Sequence, residues 1–127
     1  MSPIYLLELA SQQAQWLSAR QRITAANIAN ANTPEYKAMD IQPFAEVLDK
    51  TQFTMLATNS AHMLPESDGA GAVATRPEET DTWETTYSGN SVSLEQEMMK
   101  EGDINRSFTL NTNIKRAFHE MLMLSVK

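Results

Sequence analysis

Few side chains in this sequence are of the kinds that perform catalysis or bind metal ions. The 127 residues include no cysteine, and the two histidines, His62 and His119, fall in different predicted elements. Neither histidine has a second His at the spacing of a metal site. No glycine-rich phosphate loop, Gly-x-Ser-x-Gly or His-Glu-x-x-His motif occurs. We therefore expect no catalytic residues, no cofactor and no metal.

The side chains best suited to specific recognition are amides. Asn27, Asn30 and Asn32 lie among four alanines, Ala25, Ala26, Ala29 and Ala31. Small residues let a second backbone approach closely, and Pro34 stops the helix soon afterwards. The simpler interpretation is an ordinary helix end leading into a loop. The cluster also predicts close packing, with amide hydrogen bonds across an interface.

The elements that position these amides begin with a long N-terminal helix in a segment spanning residues 1–33. Ser2 and Pro3 form a typical helix start. Two adjacent heptad seams follow: Leu7, Ala10, Ala14, Leu17, Gln21, Thr24, Ile28 and Ala31; and Leu6, Leu9, Gln13, Trp16, Arg20, Ile23, Asn27 and Asn30. Neither seam is strongly apolar, so we expect burial by several neighbours. A helix packed on its own domain is the alternative, and Trp16 is predicted to be a packing residue.

Residues 34–90 form an irregular middle with little β-structure. Short strands are predicted at 52–56 and 83–87, and residues 44–48 fit either a helical turn or a strand. An acidic loop is predicted at 65–84, because the stretch Glu66–Glu84 holds six acidic residues and one basic residue. Such a loop is either simply solvated or an electrostatic docking surface.

The C-terminal segment, residues 91–127, predicts a second long helix. Ser93 and Gln96 have the spacing of a capping box. An apolar stripe follows, widened by Phe118 and Leu122: Leu110, Ile114, Ala117, Met121 and Leu124. The fold class is therefore mainly α, with two long terminal helices that pack as an antiparallel hairpin or coiled coil in an assembly.

Composition limits the partners. A net charge of −6 argues against nucleic acid, and the sequence has no apolar run near 20 residues that could span a membrane. The first residues have no basic region and no cleavage site. If the protein leaves the cytoplasm, we expect export by a route without a cleaved signal peptide.

The segment 23–37 closely resembles the N-terminal signature of flagellar basal-body rod proteins. The matching residues are Asn27, Asn30, Thr33, Pro34 and Tyr36, while Glu35 replaces the usual Gly. Segments 39–48, 58–64 and 88–98 also resemble the short, proximal-rod members, with Ser88 in place of an Asp. The resemblance implies a structural subunit, not an enzyme. Its expected partners are copies of itself, other rod subunits, the adaptor to the MS ring, and the export apparatus.

The resemblance also implies that the terminal helices form the inner tube of the rod, in the basal body. The alternatives are another short rod member, such as the C subunit, or a soluble helical export chaperone or adaptor. Fifteen residues are predicted to form the assembly interface: Leu7, Leu9, Leu17, Asn27, Ile28, Asn30, Thr33, Pro34, Tyr36, Phe108, Leu110, Ile114, Phe118, Met121 and Leu122.

Overall fold

The computed structural model describes residues 3–51 and 77–126. The elements, in chain order, are α1 (Pro3–Ala29), β1 (Met39–Ile41), α2 (Phe44–Thr51), β2 (Pro77–Glu79) and α3 (Leu94–Ser125). The predicted class is confirmed, because the two long helices pack against each other and the intervening region has few strands. Among the described helices, none combines the length and apolarity needed to cross a membrane.

Helix α1 turns both of its predicted seams inward. Leu17 and Thr24 on the first seam are 2% and 1% exposed, and Trp16 on the second is 8% exposed. The helix ends at Ala29, slightly before the predicted end near Ala31, and a turn follows in which the Thr33 amide donates to the Asn30 carbonyl.

Helix α3 runs antiparallel to α1. The Asn27 side chain meets Glu97, Gln21 meets Glu101, and Asn111 donates to the Ala10 carbonyl. The fully buried residues of α3 are seven positions apart, at Glu97, Ile104 and Asn111. This spacing keeps a single stripe of α3 against α1 along the hairpin.

The core is small and centred on Leu17 and Ile104, which are 2% and 1% exposed. Trp16, Ala19, Ile41 and Val47 complete it, with Ile23, Phe44 and Phe108 packed around it. The Trp16 indole N–H donates to the Gln42 carbonyl at 2.9 Å, and its ring centroid is 5.9 Å from that of Phe44. The predicted packing role of Trp16 is confirmed.

The middle region differs from its prediction in two places. β2, Pro77–Glu79, falls within the predicted acidic loop and pairs antiparallel with β1, with Asp40 opposite Glu78. A proline at the first position of an edge strand is compatible with this pairing. Trp83–Tyr87 is not a strand: Trp83 is 67% exposed, and the chain turns back at Gly89. The predicted strand at 52–56, residues 65–76 and His62 lie outside the described residues.

The predicted capping box is wrong, because its two side chains do not make the hydrogen bonds that it requires. Ser93 is the N-cap residue in an extended conformation, but its hydroxyl makes no capping hydrogen bond. The Gln96 amide is directed instead toward the Asp81 carbonyl, at 3.5 Å. The Gln96 side chain, which the capping box requires, therefore bonds to the segment 81–92 instead.

Gly102 is an exposed residue in the interior of α3, and a Cβ added there would meet no atom within 4 Å. We predict that Gly102→Ala raises the free energy of unfolding by about 0.5–1 kcal/mol, because alanine loses less backbone entropy in a helix. Urea denaturation of the two proteins would measure the difference. An unchanged or lower midpoint would contradict this prediction.

Candidate functional site

The two motifs singled out in the sequence meet in space and form one hydrogen-bonded cluster. We call it the clasp, and define it as residues 27–40 and 88–100. Its centre is Asn27, which has no solvent exposure. The Asn27 amide nitrogen donates to the Met39 carbonyl at 2.7 Å and to Glu97 Oε2 at 3.0 Å. Its oxygen accepts from the Met39 amide at 3.1 Å and from the Tyr36 hydroxyl at 3.4 Å. All four bonding positions of this amide are thus filled within the chain.

A charge network adjoins Asn27. The Arg20 guanidinium makes two hydrogen bonds of 3.1 Å to the carboxylate of Asp40. The Lys100 ammonium lies 3.4 Å from Asp40 and 2.9 Å from Glu97. Burial opposes the ionisation of Asp40, but hydrogen bonds from Arg20 and the Ile41 amide, with the charges of Arg20 and Lys100, outweigh it. The pKa of Asp40 is therefore lowered.

The turn between α1 and β1 contains a residue in an uncommon conformation. Glu35 has φ 61°, in the left-handed region that favours glycine. Its amide donates to the Ser88 carbonyl at 3.0 Å. The turn therefore has a conformation that glycine adopts easily, although the residue here is Glu35. The signature that segment 23–37 resembles has Gly at this position. Gly89 stands opposite with φ 81°, and a Cβ there would lie 3.5 Å from Glu35 Cγ.

Asn90 joins the two halves of the clasp beneath this turn. Its amide nitrogen donates to the carbonyls of Asn30 and Thr33, at 2.8 and 2.6 Å. Its oxygen accepts from the Val92 amide at 2.7 Å. The side chain bridges segments 60 residues apart in sequence and is 2% exposed. Asn90 thus ties the end of α1 to the segment that leads into α3.

The structure divides the predicted interface residues between the interior and the surface. In the single chain, the Asn27 amide makes its four hydrogen bonds to Met39, Glu97 and Tyr36, and its predicted place at an assembly interface stays a prediction. Leu17 is likewise part of the core. Half-buried positions are Leu9, Asn30, Tyr36, Phe108, Phe118 and Leu122; exposed positions are Leu7, Ile28, Thr33, Pro34, Leu110, Ile114 and Met121.

The apolar stripe predicted on α3 faces away from α1. Leu110, Ile114, Met121 and Leu124 are 60%, 42%, 58% and 75% exposed, whereas Asn111 in the same region is 3% exposed. The stripe is centred about 120° around the helix from the face that contacts α1, by the rotation of about 100° per residue. Helix α3 therefore has a second apolar face that the described part of the chain leaves exposed.

The clasp has the chemistry of a structural junction. In the described part of the chain, no three metal-binding side chains cluster closely enough to hold an ion. The buried carboxylates of the clasp, Asp40 and Glu97, pair with Arg20 and Lys100. The Asn27 and Asn90 side chains donate to backbone carbonyls. The arrangement fixes the relative positions of α1, β1 and α3.

Comparison with known proteins identifies the family to which the chain belongs. The family described as "Flagella basal body rod protein" matches residues 10–37, the part of the chain that carries Asn27 and the turn. The flagellar basal body rod protein FlgB of Agrobacterium fabrum is 46% identical over 130 aligned residues, covering 100% of this chain and 96% of that protein. The chain belongs to the FlgB family of flagellar basal body rod proteins. FlgB of Aeromonas hydrophila is 36% identical over 85 residues, covering 63% of this chain and 61% of that protein.

Membership of the FlgB family makes the chain a structural subunit of the flagellar basal-body rod. The resemblance found in the sequence is thereby confirmed. Sequence reasoning singled out the segments that contain Asp40, Asn90, Ser91 and Glu97, but it did not predict that these residues and Lys100 join the two motifs. A signal was available for Asn27, because an amide on an inward seam requires buried partners.

We predict that Asn27→Leu lowers the free energy of unfolding by about 2–4 kcal/mol, because both backbone groups of Met39 and the Oε2 atom of Glu97 lose their hydrogen bonds to the amide. Asn30→Leu is the matched control, since the Asn30 amide nitrogen donates only to Ala26 in its own helix. Asn30→Leu should lower the free energy of unfolding by less than about 1 kcal/mol. Urea denaturation would compare the two; equal losses would contradict the central position of Asn27.

A second prediction concerns pH. Because the pKa of Asp40 is lowered in the folded chain, its ionisation stabilises the fold above the unfolded pKa of about 3.9. That stabilisation is lost as pH falls through the folded pKa. Asp40→Asn should therefore be less stable than the original chain at pH 7 by about 1–2 kcal/mol, and the difference should shrink below about pH 4.

Measuring the free energy of unfolding of both proteins at a series of pH values from 7 to 2 would test this. The two proteins share all their other carboxylates, so the contributions of those groups cancel in the difference. Asp103→Asn serves as the control: the Asp103 side chain is 64% exposed and pairs only with Arg106, which is 82% exposed. A difference that stays constant across the whole series would show that Asp40 is not the titrating group.

Proposed function

We propose that this FlgB-family chain is a subunit of the proximal rod that assembles, with copies of itself and other rod subunits, into a helical tube. The tube would link the MS ring and export gate to the distal rod, transmit torque and enclose the export channel. The chain would reach it through the flagellar export apparatus without a cleaved signal peptide. Family membership and the uncovered surface of α3 support this proposal.

The observation that carries the proposal is the second apolar face of α3. Four large apolar side chains on one stripe are between 42% and 75% exposed: Leu110, Ile114, Met121 and Leu124. Contiguous exposed apolar surface of this kind marks a protein interaction site. Met121 adds an adaptable side chain that can pack against more than one partner surface.

The face of α3 that contacts α1 explains how one helix serves two purposes. Ile104 and Asn111 hold it against α1, and Phe118 is half-buried on the same side. The outward stripe is therefore presented on a helix whose rotation is already fixed within the subunit. A neighbouring subunit that covers this stripe makes a heterologous contact, and repetition of such contacts produces an open helical assembly.

The exposed turn after α1 offers a further contact at the clasp end of the hairpin. Thr33, Pro34 and Glu35 are all exposed there. We assign this turn and the outward stripe of α3 to contacts with neighbouring rod subunits. The adaptor to the MS ring is the proposed partner for subunits at the base of the rod.

Ile114→Asp tests the outward stripe. Ile114 is 42% exposed, so the charge should change monomer stability by less than about 1 kcal/mol, yet it would be buried unpaired on assembly. We predict at least a tenfold fall in the amount of the chain in purified basal bodies, and loss of swimming. Quantitative immunoblotting and a motility assay would measure both.

Thr112→Asp is the control, because Thr112 is exposed on the same stretch of α3 but outside the stripe. It adds the same charge and should assemble normally. Normal assembly of Ile114→Asp would remove the stripe from the interface. Equal failure of both variants would point to a general intolerance of charge on α3.

A further inference from the structure

The turn that follows α1 is supported by a residue from the other motif. Helix α1 ends at Ala29, and the carbonyls of Asn30 and Thr33 belong to the turn, where they accept from the Thr33 and Tyr36 amides at 3.0 and 3.3 Å. Asn90 donates both of its amide hydrogens to the same two carbonyls, at 2.8 and 2.6 Å. Asn90 therefore holds the turn from a position 57 to 60 residues further along the chain.

Asn90 is itself held firmly. Its side-chain oxygen accepts from the Val92 amide at 2.7 Å, and its carbonyl accepts from the Thr86 amide at 2.8 Å. With 2% exposure, the residue has no surface of its own to offer a partner. The residues above it, Thr33 and Pro34, are exposed. A buried, fixed side chain thus supports an exposed turn.

The bonds that the turn makes by itself are more accessible to water. The Asn30 amide nitrogen donates to the Ala26 carbonyl at 2.8 Å, and the Thr33 hydroxyl donates to the Asn30 oxygen at 3.1 Å, both at exposed positions. Exposed hydrogen bonds compete with water and contribute little net stability. Glu35 adds a left-handed conformation that disfavours the turn. The turn also has two backbone bonds of its own, from the Thr33 amide to the Asn30 carbonyl and from the Tyr36 amide to the Thr33 carbonyl. Asn90 adds buried support to these bonds.

We propose that Asn90 is a positioning residue for rod assembly. By bonding to the turn from the second motif, it holds the exposed residues of the turn in the orientation that meets a neighbouring rod subunit. This inference rests on the proposed function for the part played by the neighbour. The support of the turn by Asn90 is a property of the single chain and can be measured separately.

Asn90→Asp is the most selective variant. It keeps the size of the side chain and the oxygen that accepts from Val92, but it removes both donors and places a carboxylate oxygen against two carbonyls. In the purified full-length protein, amide hydrogen exchange at Asn30, Ala31 and Thr33 should become at least tenfold faster. Exchange in α3 from Ile104 to Asn111 should change less than twofold.

The same variant in cells should be exported but at least tenfold depleted from purified basal bodies. Asn113→Asp is the matched control, because it makes the same substitution at an exposed position of α3. It should leave exchange in the turn unchanged. If Asn90→Asp does not fold, the pair is repeated in the Gly102→Ala background, which supplies additional stability.

Unchanged exchange at residues 30–33 would overturn the proposal, since the turn would then hold itself. Faster exchange throughout the chain to the same degree would also overturn it, since Asn90 would then serve overall stability alone. Normal incorporation of a variant with a loosened turn would overturn the role in assembly. Absence of the unmodified chain from basal bodies would refute the proposed function instead, while leaving the hydrogen-exchange result for the turn intact.

Discussion

The whole structure depends on one buried amide. Asn27 fills its four hydrogen-bonding positions with Met39, Tyr36 and Glu97, and so joins the first long helix to the short strand and to the second long helix. A buried amide with all its bonds made is specific, because any shift of one element leaves several groups without partners. The apolar core of Leu17 and Ile104 is too small to impose such specificity by packing alone.

The rotation of α3 follows from this interaction. Once Glu97 is directed at Asn27, the residues seven and fourteen positions later, Ile104 and Asn111, must also face α1. The more apolar stripe that contains Leu110 is thereby turned outward. A chain that selected only the most apolar contact would bury that stripe and would lose the surface available to neighbouring subunits. The hydrogen bond between Asn27 and Glu97 at one end of the hairpin thus determines which side chains of α3 are exposed at the other end.

The sequence was sufficient to predict the two helices, because Pro3, the apolar periodicity and Pro34 are local signals. It was also sufficient to recognise the rod-protein signature. It was not sufficient for β2, since Pro77 and two glutamates have the composition of a loop and only pairing with β1 makes them a strand. Nor could periodicity show which stripe of α3 faces inward. That choice depends on Glu97 bonding to a residue 70 positions away.

The clasp also has a kinetic consequence. Its halves are separated by more than 50 residues in each of the bonds from Asn27 to Glu97, Ala38 to Ser91 and Asn30 to Asn90. Contacts of such long range form slowly, because the intervening loop must close before they give any stability in return. On the export route proposed above, the chain would pass through a narrow channel from its first residue onward, and the clasp would not close until Lys100 had emerged. The first helix would then leave the channel before the clasp forms, and completion of the subunit would coincide with its arrival at the growing end of the proposed rod.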